Sequence, residues 1–339
     1  MLLLAVLLVG CEHSMPPSGV SDRWTGPWRD GDPAQLTAFQ VRMIGLSADG
    51  AQVVFTVRRG TPVTGPNGTH SPQDGYDGCL GLLPATGGSG TFLACDDRSG
   101  QQDSLNVILA AAVDAEGQLL QEINVGPIDG YSPVREHVEL YLGSTHDRAV
   151  RRRLMTLYHD VNGQLTVPPG SLNWLTDLVW LGPNQFAAIG YYAPAALQPS
   201  LNYLGIVVGQ IGPDSATTTL VTSRPRPSQI VRGPEGTTLL VYTSGEVIAM
   251  APTGEDRWVV RIPLTPGASL IGAGCHPGGC LAVTEEATPG LLTRWQFDPG
   301  GEPTPGASSQ ANGPVGRLWV SARDGALIFP TGGGLYRFD

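Results

Sequence analysis

The sequence predicts an all-β protein built from repeated hairpins, and three observations lead to this prediction. First, five segments share one pattern, in which an apolar strand, a tight polar turn and a second apolar strand follow one another; they span residues 41–57, 177–192, 229–242, 270–283 and 318–329. Second, the chain holds 46 Gly and 29 Pro, more than a helical protein carries, so turns are frequent. Third, the last three hairpin turns lie 43 and 46 residues apart, and a hairpin period in the forties is typical of a β-propeller.

The turns of these five segments contain the residue types that tight hairpins need. Gly and Asn tolerate the positive φ of such turns, and the flanking β-branched and aromatic residues favour strands. The turn dipeptides are Asp49-Gly50, Pro183-Asn184, Glu235-Gly236, Gly278-Gly279 and Asp324-Gly325.

Two further hairpins fit between the first and the second of these segments. They pair residues 91–97 with 105–114 and residues 137–143 with 152–160, through turns near Gly100 and His146-Asp147. We therefore favour seven blades of about 46 residues each, in one propeller domain over residues 23–339. Six blades are the alternative, in which the units of the first half would need 67 residues each.

Residues 147–160 are the best helix candidate, but a propeller context favours a strand there.

The ends of the predicted ring are expected to meet in one blade. The chain stops at "GGGLYRFD", which is typical of the third strand of a blade without a fourth. We expect a strand from residues 24–42 to complete that blade, because closing the ring removes exposed strand edges.

The opening residues predict export. The apolar run 2–9 is too short to span a bilayer and has the size of a signal-peptide core. Residues 8–11, Leu-Val-Gly-Cys, resemble the lipoprotein box of bacterial lipoproteins, although no Arg precedes Cys11. The alternative is a short buried strand that ends in Cys.

The resemblance to bacterial lipoproteins implies a lipid anchor. In that family the cysteine thiol receives a diacylglycerol, the chain is cut before it, and the new amino terminus is acylated, so palmitate is an expected modification. We expect residues 1–10 to be a signal peptide, Cys11 to be lipidated and residues 11–22 to be a tether. Glu12 favours the outer membrane by resemblance to sorting rules. The body would then face the periplasm or the cell surface.

The remaining four cysteines fall into two close pairs, and an exported protein is expected to oxidise them. The predicted disulfides are Cys79–Cys95 and Cys275–Cys280. A hairpin that turns at Gly87 would place the first pair directly opposite each other. Buried free thiols are the alternative. A zinc site fits less well, since His276 is the only His inside a pair.

Composition excludes several classes of chemistry. All 20 basic residues are Arg, so a Schiff-base lysine, a P-loop lysine and a Ser-Lys nucleophile are excluded. The net charge of −10 argues against binding to nucleic acid, which needs a basic face. No cofactor is expected.

Two turns carry a family resemblance. "LSADG" at 46–50, followed by "VVF" at 53–55, and "SARDG" at 321–325, followed by "LIF" at 327–329, resemble the repeat of periplasmic Tol-type propellers, which belong to the WD-like repeats. Both lack the Pro that precedes Asp in that family. The resemblance implies architecture and not a partner, because propellers have many functions. Lipid-anchored propellers also include an outer-membrane assembly subunit, which binds its partner without catalysis.

The candidate contact residues lie in two loops. Tyr131, Arg135 and His137 lie in a long connection, where function often concentrates on a rigid scaffold. His276 lies in the turn that the second cysteine pair encloses.

No metal site is predicted. His137, His146 and His159 have spacings that match no metal motif, and residues 74–78 with Asp103 lack the ligand pattern of a calcium loop. The acid pairs Glu285-Glu286 and Asp114/Glu116 could serve glycoside cleavage only if they approached each other within about 5–10 Å.

Two functions follow. We expect a non-enzymatic binding or scaffold lipoprotein of the bacterial envelope, which presents loops to an unidentified protein or glycan. The alternative is a propeller enzyme of the glycoside hydrolase, lyase or esterase type. Converging carboxylates in the central channel would favour the enzyme.

Overall fold

The protein forms a six-bladed β-propeller. The computed structural model describes residues 34–35, 40–58, 63–65, 68–70, 78–87, 91–95, 104–127, 137–146, 151–161, 164–166, 172–192, 203–222, 224–311, 313–331 and 334–338. Each blade is an antiparallel sheet of four or five strands.

The first three blades contain the longest strands. Blade 1 consists of β2 (Gln40–Leu46), β3 (Gln52–Arg58), β6 (Gly78–Pro84) and β7 (Thr91–Cys95), with the hairpin β4 (Val63–Gly65) and β5 (Gly68–His70) inserted after β3. Blade 2 consists of β8 (Ser104–Val113), β9 (Gln118–Pro127), β10 (His137–Ser144), β11 (Arg151–Val161) and β12 (Gln164–Thr166). Blade 3 consists of β13 (Leu172–Gly182), β14 (Gln185–Tyr192), β15 (Tyr203–Ile211) and β16 (Ala216–Thr222).

The last three blades are shorter. Blade 4 consists of β17 (Gln229–Arg232), β18 (Thr238–Val241), β19 (Glu246–Met250) and β20 (Asp256–Arg261). Blade 5 consists of β21 (Ser269–His276), β22 (Gly279–Glu285), β23 (Leu291–Phe297) and β24 (Thr304–Gln310). Blade 6 consists of β25 (Trp319–Val320), β26 (Leu327–Thr331), β27 (Gly334–Phe338) and, from the start of the chain, β1 (Ala34–Gln35).

The first strand of each blade lines the central axis. Each first strand contacts the first strand of the next blade: β2 contacts β8, β8 contacts β13, β13 contacts β17, β17 contacts β21, and β21 contacts β25. Apolar layers fill the space between neighbouring blades. The largest buried side chain, Trp180, lies between blades 2 and 3 and donates its indole N–H to the Ala112 carbonyl at 3.1 Å. Burial of such faces is the main stabilising term of the ring.

The prediction of seven blades is wrong. β7 is the last strand of blade 1 and β8 is the first strand of blade 2, so these two strands do not form the predicted hairpin. β10 and β11 pair as predicted, but they belong to blade 2 together with β8 and β9. The first-half blades are long because blade 1 contains an inserted hairpin and blade 2 has a fifth strand.

The predicted closure of the ring is confirmed. β1 pairs with β27, with Ala34 opposite Leu335 and Gln35 opposite Gly334. The donor strand therefore lies inside the predicted range of 24–42. The ring is closed by the two ends of the chain, and β27 has a neighbour on both sides.

The five predicted hairpins are also confirmed, since each joins the first two strands of a blade. Residues 151–161 form strand β11, as predicted, and not a helix. In the part of the chain that the structure describes, no helix is long and apolar enough to cross a membrane.

Candidate functional site

Six turns form one face of the propeller, which we call the turn face. The first strands of all blades run in the same direction along the axis, so the turns that follow them lie at the same end. The opposite end is called the far face. The turn face is built by residues 47–51, 114–117, 183–184, 233–237, 277–278 and 321–326.

Carboxylates on the turn face are bound to the backbone of their own turns. Asp49 Oδ1 accepts hydrogen bonds from the Ser47 hydroxyl at 2.5 Å and from the Ala51 N–H at 3.1 Å. Asp114 Oδ1 accepts hydrogen bonds from the N–H groups of Glu116 and Gln118 at 3.0 and 2.6 Å. These bonds hold the turn conformations, as Asp does in many tight turns.

Two of these carboxyl groups have shifted pKa values. Burial raises the pKa of Asp114, against the backbone N–H groups of Gln118 and Glu116, which lower it. Burial also acts to raise the pKa of Asp324, but hydrogen bonds from Arg337, Ser321 and the Ala326 N–H outweigh it and hold the pKa below its ordinary value. Arg337 is nearly buried and donates to Asp324 at 2.8 Å and to the Ala85 carbonyl at 2.9 Å.

An axial cavity of about 60 Å³ opens behind the turn face. Its wall is formed by the first strands of all six blades, and small residues leave the space open, including Gly45, Ala112 and Gly274. Asp177 is the only carboxylate among the lining residues that the structure describes. The volume is enough for a few water molecules, and it is too small for a drug-sized ligand.

A polar network closes the axis beside this cavity. Asp177 Oδ2 forms an ion pair with Arg317 and accepts the N–H of Ile230 at 3.0 Å, while Asp177 Oδ1 accepts the N–H of Leu178 at 3.2 Å. The Arg317 guanidinium also lies 4.8 Å from the centre of the Trp319 ring, within range of a cation–π contact. Blade 3 provides Asp177 and blade 6 provides Arg317, so the ion pair joins opposite sides of the ring.

Buried Gln229 adds a second cross-axis bond. Its Nε2 donates to the Leu318 carbonyl at 3.1 Å, which connects blade 4 to blade 6. Its Oε1 has no protein partner among the described residues. The axis is therefore occupied by a network in which Asp177 is already paired.

A hollow of about 220 Å³ adjoins the mouth of the axial cavity. We call it the Arg232 hollow; it is lined by Ala48, Arg232, Gly233, Pro234, Cys275, His276, Pro277 and Ala322. It combines turns from blades 1, 4, 5 and 6. Among the described residues, two basic side chains and no acidic side chain line it.

The predicted Cys275–Cys280 disulfide is confirmed and forms one edge of this hollow. The two cysteines are directly opposite each other in β21 and β22, with Cα atoms 4.0 Å apart. Between them, His276 Nδ1 accepts the N–H of Gly278 at 3.2 Å. The disulfide therefore fixes the turn that presents His276.

The other predicted contact residues are not in this region. His137 begins β10 at the far-face end of blade 2, whereas His276 ends β21 at the turn face. Tyr131 and Arg135 lie outside the described residues. Cys79 and Cys95 face each other in the β6–β7 register, as the hairpin model requires; their disulfide stays a prediction.

The candidate metal and acid–base residues do not converge. His137 is opposite His159 near the far face, while exposed His146 follows β10 at the turn-face end. No group of three or more metal-ligating side chains occurs among the described residues. Asp74, Asp103 and Asp147 lie outside them.

Glu285 and Glu286 have structural partners. Glu285 Oε1 accepts the N–H groups of Gly290 and Val315 at 2.8 and 2.9 Å. The Thr265 hydroxyl donates to Glu286 at 2.6 Å and is the main cause of its lowered pKa.

Sequence reasoning missed the axial network and one buried acid. Glu122 is fully buried between blades 2 and 3, where its Oε1 accepts the N–H of Leu175 at 3.0 Å. Burial raises the pKa of Glu122 well above its ordinary value, against that N–H, which lowers it. The signals available were isolated charges in apolar strands, such as Asp177 within "LTDLVWL".

Comparison with known proteins supports the fold alone. No family model matches the chain, and no curated protein matches it. By contrast, 387 chains of solved structures match, so the architecture is widely shared.

The matching structures include enzymes and other propellers. An α-L-arabinanase of Penicillium chrysogenum, solved with arabinobiose, has a TM-score of 0.50 and 13% identity, with 93% of this chain and 97% of that chain covered. The β-propeller domain of Cps50 (Swd1) from Myceliophthora thermophila has a TM-score of 0.46 and 12% identity over 93% and 99%. A prolyl endopeptidase has a TM-score of 0.46 and 11% identity over 94% of this chain and 51% of that chain. These likenesses show the β-propeller fold alone, and the chemistry of the chain must be argued from its own residues.

Proposed function

We propose that the protein is a lipid-anchored binding module of the bacterial envelope, and that its turn face binds a protein partner without catalysis. The anchor rests on the resemblance of residues 8–11 to the lipoprotein box. The binding role rests on the geometry of the turn face, where six turns are held rigidly by internal hydrogen bonds.

The observation that carries the proposal is the state of the carboxylates. Glycosidase chemistry usually needs two carboxyl groups that are free to act on one substrate. Asp177 is the only carboxylate among the described residues that line the axial cavity, and Arg317 and two backbone N–H groups already bind it. Asp49, Asp114 and Asp324 are bound within their turns. This arrangement favours binding over catalysis.

The anchor has a direct test. Replacing Cys11 with Ser should move the protein from the membrane fraction to the soluble fraction, because a cysteine thiol is needed to receive the diacylglycerol. The Cys275→Ser/Cys280→Ser variant is the matched control and should stay with membranes. Unchanged sedimentation of the Cys11→Ser protein would refute the anchor.

The binding face is tested by site-specific photo-crosslinking in the native host. A photoreactive residue at exposed Arg323, on the turn face, should form a discrete adduct with one envelope protein. The same residue at exposed Ser308, on the outer edge of blade 5, should not. Equal crosslinking from both positions, or none from Arg323, would contradict the proposal.

A further inference from the structure

The lining of the Arg232 hollow suits an anion better than a sugar. Its two titratable side chains, Arg232 and His276, are both basic, and the remaining residues are Ala, Gly, Pro and disulfide-bonded Cys. A bound sugar presents many hydroxyl groups, and each needs a polar partner when water is removed. The hollow offers no hydroxyl or amide side chain for that purpose. Arg232 and His276 are therefore the only polar side chains of the described lining.

Arg232 is available to bind a ligand. Its side chain is exposed, and it makes no ion pair or side-chain hydrogen bond within the described part of the chain. Glu235, on the same turn, is exposed as well and does not pair with it. A planar guanidinium matches the two oxygens of a carboxylate with parallel hydrogen bonds, which makes a free Arg in a concave surface a carboxylate receptor.

His276 is held at the rim of the hollow by two contacts. Its Nδ1 accepts the Gly278 N–H, so in the neutral ring Nε2 carries the proton and can donate. The ring also packs on Gly325, where a Cβ atom would lie 2.9 Å from Nε2. Together with the disulfide, these contacts fix the position of the ring before a ligand arrives, which lowers the entropy cost of binding.

The surrounding charge does not exclude an anion. The chain has a net charge of −10, but exposed charges are screened beyond about 8 Å at physiological salt. Asp49, which follows Ala48 of the lining, is bound by the Ser47 hydroxyl and the Ala51 N–H. At short range, the charged side chain that an anion in the hollow meets is therefore that of Arg232.

We propose that the Arg232 hollow binds a carboxylate carried by a peptide, either an acidic side chain or the C-terminal carboxylate of the partner. Arg232 is the main contact and His276 the second. A volume of about 220 Å³ accepts one terminal group and is below the size of a typical small-molecule pocket. The apolar walls at Pro234 and Pro277 suit the aliphatic part of a peptide. This inference rests on the proposed binding of a protein at the turn face.

The test is a titration of the purified full chain with three probes, followed by NMR of the His276 ring. The probes are the peptide acetyl-Ala-Ala-Ala-Glu with a free C-terminus, its Gln counterpart with an amidated C-terminus, and inorganic phosphate. We expect the acidic peptide to bind and the neutral peptide to bind at least about tenfold more weakly. Arg232→Gln should weaken the acidic peptide about tenfold, as expected for loss of a charge-assisted contact.

The matched control is Arg226→Gln, which changes an exposed Arg ahead of β17, at the other end of that strand. It should leave the affinity unchanged. The Cys275→Ser/Cys280→Ser variant should weaken binding while the circular dichroism spectrum stays that of a β protein. Equal affinity in Arg232→Gln and the parent, or equal affinity for the two peptides, would overturn the site.

Two other outcomes would also overturn the assignment. Phosphate that binds as tightly as the acidic peptide would show a site for charge alone, and a uronic-acid disaccharide that binds more tightly would show a glycan site. Failure of this titration while Arg323 still crosslinks would remove the carboxylate site and leave the proposed function intact. If the acidic peptide bound but Arg323 gave no crosslink, the carboxylate site would stand and the proposed binding of an envelope protein at the turn face would be contradicted.

Discussion

At the scale of single residues, the molecule places a few charges where apolar side chains would be expected. Glu122 is completely buried, and its Oε2 has no partner among the described residues. Burying a carboxylate that has one backbone hydrogen bond and no basic partner is costly, so the group is stable there mainly as the neutral acid. Its role is local: its Oε1 accepts the N–H of Leu175, in β13 of the neighbouring blade.

Glu122→Gln should stabilise the protein at neutral and alkaline pH. The pKa of Glu122 is raised in the folded state, so its favourable contribution is complete below the unfolded value of about 4.3 and is lost as pH rises through the folded pKa. Gln keeps the acceptor and cannot ionise. Urea unfolding should show a gain of about 1 kcal/mol or more at pH 8, which shrinks toward pH 4.

Glu302→Gln is the control for this experiment, because Glu302 is exposed between β23 and β24. It should show no such pH-dependent gain. Equal pH profiles for Glu122→Gln and the parent protein would mean that Glu122 is not neutral in the fold.

At the scale of strands, the first strand of four blades contains a register irregularity at a similar level. The shifts lie between Met43 and Gly45, Ile108 and Ala110, Leu175 and Asp177, and Leu270 and Gly272. A bulge frees backbone groups from the sheet ladder. In two blades the region of the irregularity bonds to a neighbouring blade: Leu175 of blade 3 donates to Glu122 of blade 2, and Ile271 of blade 5 accepts from Leu318, just ahead of β25 of blade 6.

The closing strand gives the prediction at this scale. Removal of residues 1–39 deletes β1 and leaves β27 with an unpaired edge, which favours aggregation through strand pairing. Removal of residues 1–33 keeps β1 and serves as the control. We expect the shorter chain to melt several degrees lower, at about 2–4 °C per kcal/mol lost, and to aggregate at lower concentration.

Light scattering and thermal unfolding measure this effect. If the two truncated chains had the same midpoint and solubility, the pairing of Ala34 and Gln35 with β27 would be unimportant for closure.

The five hairpins were predictable because each turn carries its own local signal of Gly or Asn between apolar runs. The closure was predictable because the last hairpin and "GGGLYRFD" account for three strands of a blade, and a strand from residues 24–42 could cover the remaining edge. The number of blades was not predictable, because the signal of a hairpin identifies two paired strands but not the sheet to which they belong. The turn at Asp114–Gly117 has the same signal as the others, yet residues 105–114 also fitted a pairing with the preceding strand. The ion pair between Asp177 and Arg317 could not be predicted from the sequence, since the two residues lie 140 positions apart and meet only when the ring closes.

At the scale of the whole molecule, the network on the axis connects blades that share no sheet. Asp177 is nearly buried, while the Arg317 side chain keeps 29% of its exposure. Removing one partner from a buried pair leaves the other charge without compensation and costs about 3–5 kcal/mol. Partial exposure of Arg317 reduces that cost.

Arg317→Leu should therefore destabilise the fold by about 3 kcal/mol, measured by urea unfolding. Adding Asp177→Asn to it should recover part of the loss, because the uncompensated charge is gone. Arg261→Leu is the control, since its pair with Glu246 lies at the exposed edge of blade 4 and such pairs contribute about 0–1 kcal/mol. A double variant no more stable than Arg317→Leu would show that the charge pair is not the reason.

The meeting of β1 and β27 in one blade has a consequence for the order of the chain. The beginning and the end of the ring are neighbours, so a short linker between them would make a continuous loop of six sheets. New termini could then be opened at an exposed turn such as Gly212–Ser215, between β15 and β16, with every strand keeping its partners. The fold would tolerate such circular permutation, because what holds the ring together is adjacency between blades and not their succession along the polypeptide.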